Sequence, residues 1–227
     1  MIRHNIGPEL PLWSIEFKTE SKLGILSRKE MEQKLVRQAW QDELFRIRLL
    51  NAPKETIADF FSVNLPETLS IEVLEETDTC VYLILPHNPY QDTPEAELKK
   101  SLGMDLEDVA GWMVEQQNGL FPGDRQNNIL IVAKAWRDAD FKLRLLADPK
   151  LVLEQELGMD LLEEMAVGLL EESAVKAYIV LPYLPDLAFA EREEDLHFVN
   201  MPIVIGSGSK PSVDTFHLEC TLHPNFC

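Results

Sequence analysis

The sequence predicts an α+β protein made of two tandem helix-rich units, each closed by a β-hairpin, with a flexible C-terminal tail. Three observations carry this prediction: an internal repeat, a change of periodicity inside each copy, and a change of composition after the second copy. Residues 39–86 align with residues 135–182 at a constant offset of 96 without a gap, and 17 of the 48 aligned positions are identical. The shared residues include Ala39/Ala135, Trp40/Trp136, Asp42/Asp138, Phe45/Phe141, Leu49/Leu145, Pro53/Pro149, Lys54/Lys150, Glu76/Glu172, Tyr82/Tyr178 and Pro86/Pro182. A period of this length marks a small module present twice, and any function must account for both copies.

The first helix is expected over Lys29–Gln41, where Leu35, Val36, Ala39 and Trp40 share one side at helical spacing. Asp42 follows as an N-cap, because its carboxylate can accept the free amides of a helix running to Leu50. Pro53 then opens a third helix at a position that tolerates a missing N–H. After Leu65 the period shortens: Leu69, Ile71 and Val73 alternate, Thr77 and Asp78 make a turn, and Cys80–Leu85 is a β-rich run that ends at Pro86. The second copy repeats the plan, with Asp138 as its cap, Pro149 at its third helix and strands between Met165 and Pro182. Between the copies a proline-punctuated stretch leads into an acidic helix from Glu95 to about Gln117, interrupted at Gly103 and at Ala110-Gly111.

These boundaries give residues 1–28 as an N-terminal extension, 29–90 as the first unit, 91–122 as an acidic linker with a helix, 123–186 as the second unit and 187–227 as the tail. Units of about 60 residues bury only about 60% of their surface, so each needs something to pack against. The tail passes from Glu191, Glu193, Glu194 and Asp195 through Gly206-Ser207-Gly208-Ser209 to a terminus carrying Ser212, Thr215, Cys220, Thr221 and Cys227. Its composition cannot supply a core, and it reads as a mobile peptide.

The net charge of −18 is unevenly placed: residues 51–227 carry 12 basic and 32 acidic side chains. Such a surface repels phosphate backbones and anionic lipid, which argues against nucleic acid and membrane surfaces as partners. No apolar run is long enough to span a bilayer or to act as a secretory signal, so a cytoplasmic protein is expected. Three cysteines, an odd number, do not make a disulfide framework.

No convergent set of titratable groups stands out in the repeat. Neither aligned window holds a histidine, Cys80 is matched by Lys176, and no glycine-rich loop opens a helix after a strand. The doubled pairs Glu75-Glu76 and Glu171-Glu172 flank the turns and read as solvated charges. His217, Cys220, His223 and Cys227 offer zinc-type ligands at H-x2-C-x2-H-x3-C. They crowd into 11 residues around Pro224, without the spacer that normally separates two ligand pairs, so no metal is assigned and no cofactor is expected. On an apolar helix face Trp40 and Trp136 read as core aromatics.

The run Gln38-Ala39-Trp40-Gln41-Asp42-Glu43-Leu44-Phe45-Arg46, followed by Leu49-Leu50-Asn51-Ala52-Pro53, Glu75-Glu76-Thr77 and Tyr82-Leu83-Ile84-Leu85-Pro86, resembles the nitrile-hydratase-like leader peptides of proteusin-type natural product precursors. Lys134-Ala135-Trp136-Arg137-Asp138 through Tyr178-Ile179-Val180-Leu181-Pro182 resembles them in the same way. The module is similar to the nitrile hydratase α subunit, whose hairpin strand runs into a Cys-Thr-Leu-Cys-Ser-Cys cluster that holds iron or cobalt. Here both copies end in Leu-Pro with none of the three thiols, which speaks against a metal-dependent hydratase.

The resemblance implies a substrate rather than an enzyme: a precursor of a ribosomally synthesised, post-translationally modified natural product. Its leader units would dock modifying enzymes, through Trp40, Phe45, Leu49, Trp136, Phe141 and Leu145 as candidates. The modified core would contain Ser207, Ser209, Ser212, Thr215, Cys220, Thr221 and Cys227, with cleavage near Gly206 and Gly208 and release by a peptidase-containing exporter. The alternatives are a catalytically inactive interaction scaffold of the same fold and, below it, a transition-metal hydratase. Self-association is left open.

Overall fold

The computed structural model describes residues 17–18, 25–26, 28–116, 125–158 and 161–183. Two short strands, β1 (Phe17–Lys18) and β2 (Ile25–Leu26), pair antiparallel ahead of the first helix. Helix α1 (Arg28–Gln41) buries Met31, Leu35, Val36 and Ala39 along one stripe. Helix α2 (Glu43–Asn51) starts where Asp42 accepts the Phe45 N–H at 3.0 Å, and α3 (Pro53–Phe61) starts on its proline. Helices α6 (Arg125–Arg137), α7 (Ala139–Ala147) and α8 (Pro149–Leu157) repeat this arrangement, with Asp138 accepting the Phe141 N–H at 2.9 Å. Removing either cap is expected to cost about 1 kcal/mol. Urea unfolding of Asp42→Ala and of Asp138→Ala checks this, and the two losses should match.

The acidic linker helix is two helices, α4 (Glu95–Ser101) and α5 (Leu106–Gln116), because the chain turns at Gly103 with φ of 70°. Ala110-Gly111, by contrast, does not interrupt α5. The helix runs through it because the small residues face α6, with Ile129 Cδ1 3.4 Å from where a Cβ on Gly111 would stand.

The α+β class holds, but the partners of the strands differ from the expected hairpins. Strand β3 (Ser70–Glu75) pairs in parallel with β6 (Lys176–Leu181), and β4 (Cys80–Leu85) pairs in parallel with β5 (Ala166–Glu171). What survives of a hairpin is the turn itself. Ser173 and Lys176 form one antiparallel bridge, and Thr77 N–H donates to Cys80 O at 3.0 Å in the equivalent place. Beyond the turn the two strands of a unit diverge into different sheets.

Two cores result, and each is completed by the other unit. The first gathers Met31, Leu35, Phe45, Leu49, Ile57, Ile71 and Val73 with Ala177, Ile179 and Leu181 from the second copy. The second gathers Ile131, Ala135, Phe141, Leu145 and Leu153 with Leu83 and Leu85 from the first copy, and with Ala110 and Val114 of α5. Units that are contiguous in sequence are therefore interwoven in space. No helix among the described residues is long and apolar enough to cross a membrane.

Candidate docking site

The identities shared by the two copies turn out to be the parts that build the fold. Phe45, Leu49, Phe141 and Leu145 are buried, none more than 3% exposed, so they shape the surface without being on it. Trp40 and Trp136 are half-buried against the two cores. Each indole N–H donates to a backbone carbonyl of the opposite unit: Trp40 Nε1 to Pro182 O at 3.4 Å and Trp136 Nε1 to Pro86 O at 3.0 Å. Lys54 and Lys150 hold the turn before the strands, Lys54 Nζ donating to Pro66 O at 2.6 Å and Lys150 Nζ to Leu162 O at 2.6 Å.

What the helices present outward are residues the motif reading passed over. Leu44 and Ile47, three apart on α2, are 73% and 45% exposed, and Leu143 on α7 is 63% exposed. A signal for them exists in the sequence: α2 carries Leu44, Phe45, Ile47, Leu49 and Leu50, more apolar positions than one core-facing stripe can use. Beside this face Arg46 pairs with Glu43 and Glu75, which keeps its rim polar.

Two buried carboxylates stand at the ends of β3 and β5, where solvated charges were expected from sequence. Glu76 accepts the Tyr82 N–H at 3.0 Å, and Glu172 accepts the Tyr178 N–H at 3.0 Å, so both are needed at the point where the strands part. Their electrostatic surroundings differ. Arg28 on α1 reaches Glu172 with two nitrogens at 2.9 and 2.7 Å, Glu32 at 2.6 Å and Tyr178 O at 3.0 Å. Burial alone would lower the Arg28 pKa, but the carboxylates of Glu172 and Glu32 outweigh it and raise the pKa instead.

Among the described residues no such cation is placed on Glu76. At the offset of 96 the counterpart of Arg28 is Asp124, and that of Glu32 is Asn128. Burial pushes the Glu76 carboxyl up to about 7, against the lowering effect of the Tyr82 and Tyr183 backbone N–H groups. Asn128 is itself buried, and its Oδ1 accepts no hydrogen bond.

Among the described residues no group of three or more His, Cys, Asp or Glu is placed to hold a metal. Leu83 and Leu85 and their equivalents Ile179 and Leu181 are core residues. The candidate core residues Ser207, Ser209, Ser212, Thr215, Cys220, Thr221 and Cys227, the candidate cleavage residues Gly206 and Gly208, and the zinc-type set completed by His217 and His223 lie outside the described residues.

No family model matches the chain. It is 30% identical over 90 residues to Polytheonamide B of the bacterial symbiont of Theonella swinhoei (strain pTSMAC1), a match over 37% of this chain. The chain spans 59% of the length of that curated relative. Among solved structures, a double mutant of the Fe-type nitrile hydratase from Comamonas testosteroni Ni1 is 18% identical with a TM-score of 0.44, over 83% of this chain and 79% of that one. A recombinant thiocyanate hydrolase comprising partially modified cobalt centres is 15% identical with a TM-score of 0.42, over 82% of this chain and 81% of that one. With the Polytheonamide B match beside the motifs of both copies, the chain resembles the nitrile-hydratase-like leader peptides of the proteusin type.

Proposed function

We propose that the chain is a precursor of a ribosomally synthesised, post-translationally modified natural product, and that its folded part is a leader on which modifying enzymes dock. The observation that carries this reading is the 30% identity over 90 residues to Polytheonamide B, beside the leader-like motifs of both copies. The geometry supports it in a second way. The repeated identities are spent on cores, caps and strand ends, which leaves outward faces such as Leu44–Ile47 and Leu143 for a partner.

In this reading Trp40, Phe45, Leu49, Trp136, Phe141 and Leu145 serve docking by holding α2 and α7 in place, while the exposed leucines and isoleucine make the contact. The tail then supplies the chemistry. Ser207, Ser209, Ser212, Thr215 and Thr221 offer hydroxyls for dehydration, Cys220 and Cys227 offer thiols, and cleavage falls near Gly206 and Gly208. A peptidase-containing exporter would follow the modifying enzymes as a partner.

Co-expression with its neighbouring genes tests the proposal by mass spectrometry of the intact and protease-digested chain. Mass changes confined to residues 187–227 are the expected result, and an unmodified, uncleaved tail under those conditions refutes it. Replacing Leu44 and Ile47 together by aspartate should cut modification at least about tenfold, the consequence of losing about 1.4 kcal/mol of docking energy. The urea midpoint should be unchanged, because both side chains are exposed.

A further inference from the structure

We infer that the chain is a tethered dimer: each unit binds a second copy of the unit by exchanging strands, and the connection between them holds the two copies close. The partner that this surface fits is another copy of the same unit, and within the chain the second copy fills that place.

The pairing obeys the repeat. Ser70 is opposite Lys176, and adding 96 to the first and subtracting 96 from the second gives Ala166 opposite Cys80, which is the register of the other sheet. The hydrogen bonds that frame the sheets follow the same rule. Ser70 N–H donates to Val175 O at 2.8 Å and Ala166 N–H to Thr79 O at 2.7 Å. Glu76 N–H donates to Leu181 O and Glu172 N–H to Leu85 O, both at 2.9 Å. The Trp40–Pro182 and Trp136–Pro86 bonds complete the set, each running from one unit to the other. Contacts in which i meets j and the counterpart of j meets the counterpart of i are the mark of a twofold interface between like subunits.

A single unit cannot satisfy itself in this arrangement. Its β3 faces its own helices, but its β4 delivers Leu83 and Leu85 into the other core, and each strand makes its ladder with a strand of the other copy. Alone, it would expose that apolar face together with a row of unpaired backbone groups, the template on which another copy pairs. One close fit shows how specific the meeting is: the Tyr82 ring lies on Gly168, its register partner, where a Cβ would stand 2.8 Å from Cδ1. Joining two such partners in one chain places each at roughly millimolar effective concentration for the other. The link also packs on the second unit, where α5 supplies Ala110 and Val114 to the core and Arg137 pairs with Glu95 and Glu107.

The test uses the full chain with a protease recognition sequence inserted between Gln91 and Asp92, both exposed in the turn before α4. Cutting the folded protein is expected to leave two fragments that co-elute and keep the helical circular dichroism of the uncut chain at sub-micromolar concentration, separating only in denaturant. In the cut complex, zero-length carbodiimide coupling should join the fragments through Lys176 and Glu72, whose Nζ and Oε2 are 2.9 Å apart. Fragments that part on cutting while each stays folded would overturn the inference, as would the absence of a Glu72–Lys176 linked peptide. Failure of the inserted chain to fold would overturn it as well, since an exposed turn outside both cores tolerates added length.

Discussion

Replacing Arg28 by methionine is expected to lower the unfolding free energy by about 3–5 kcal/mol, the loss that follows when one member of a buried ion cluster is removed. The side chains of Arg28, Glu32 and Glu172 are each no more than 6% exposed, so neither carboxylate can turn to water for compensation. Methionine keeps the length of the stem and isolates the electrostatic part of the change. The effect reaches both units at once, because Arg28 lies on α1 and Glu172 ends β5 of the other copy. Adding Glu32→Gln and Glu172→Gln to the methionine variant should restore most of the stability, since the amide oxygen can still accept the Tyr178 N–H without a buried charge. Urea unfolding of the variants measures the effect, and a loss below about 1 kcal/mol, as for an exposed pair, would show that the cluster is solvated.

The second large effect is a gain. Glu76→Gln is expected to stabilise the protein at pH 8 by up to about 3 kcal/mol, the free energy equivalent to the displacement of its carboxyl from the ordinary value of 4.5 to about 7. The sign follows from proton linkage. The folded state holds the Glu76 proton more tightly than the unfolded chain, so its stabilising contribution is complete below about pH 4.5. It is lost as pH rises through about 7. The glutamine variant lacks that loss, and the two proteins should differ little at pH 4.5 and most at pH 8.

Burial lowers the His87 pKa although Glu171 and Glu172 act to raise it, and the histidine is common to both proteins. The difference between the profiles therefore reports Glu76. Equal stabilities across the range would mean that the Glu76 carboxylate is hydrated when ionised. Where the first copy carries Arg28, which pairs with Glu172, the repeat carries Asp124 in the second copy.

Much of the fold was legible because its determinants are local. Asp42, Asp138, Pro53 and Pro149 act on the residues next to them, so their meaning does not depend on what lies across the molecule. Gly103 likewise ends a helix from within the chain, whereas Gly111 looks the same in sequence and is absorbed by a helix contact that only packing reveals. The same distinction applies to the candidate docking residues. Identity between the copies drew attention to Phe45, Leu49, Phe141 and Leu145, but what two copies of one fold must share is the core, while a docking face need not be repeated.

By itself the sequence determined that a module occurs twice, where its helices begin, and that its strands follow them. Only the tertiary structure decided which strand pairs with which, and with that the interweaving of the units and the burial of Glu76 and Glu172. The reason is that backbone hydrogen bonds carry no address, and a four-residue turn between two apolar strands is compatible with pairing at home or abroad. One trace of the outcome was present. Cys80–Leu85 is apolar almost without alternation, the pattern of a strand covered on both faces, and a second face needs a second unit to cover it.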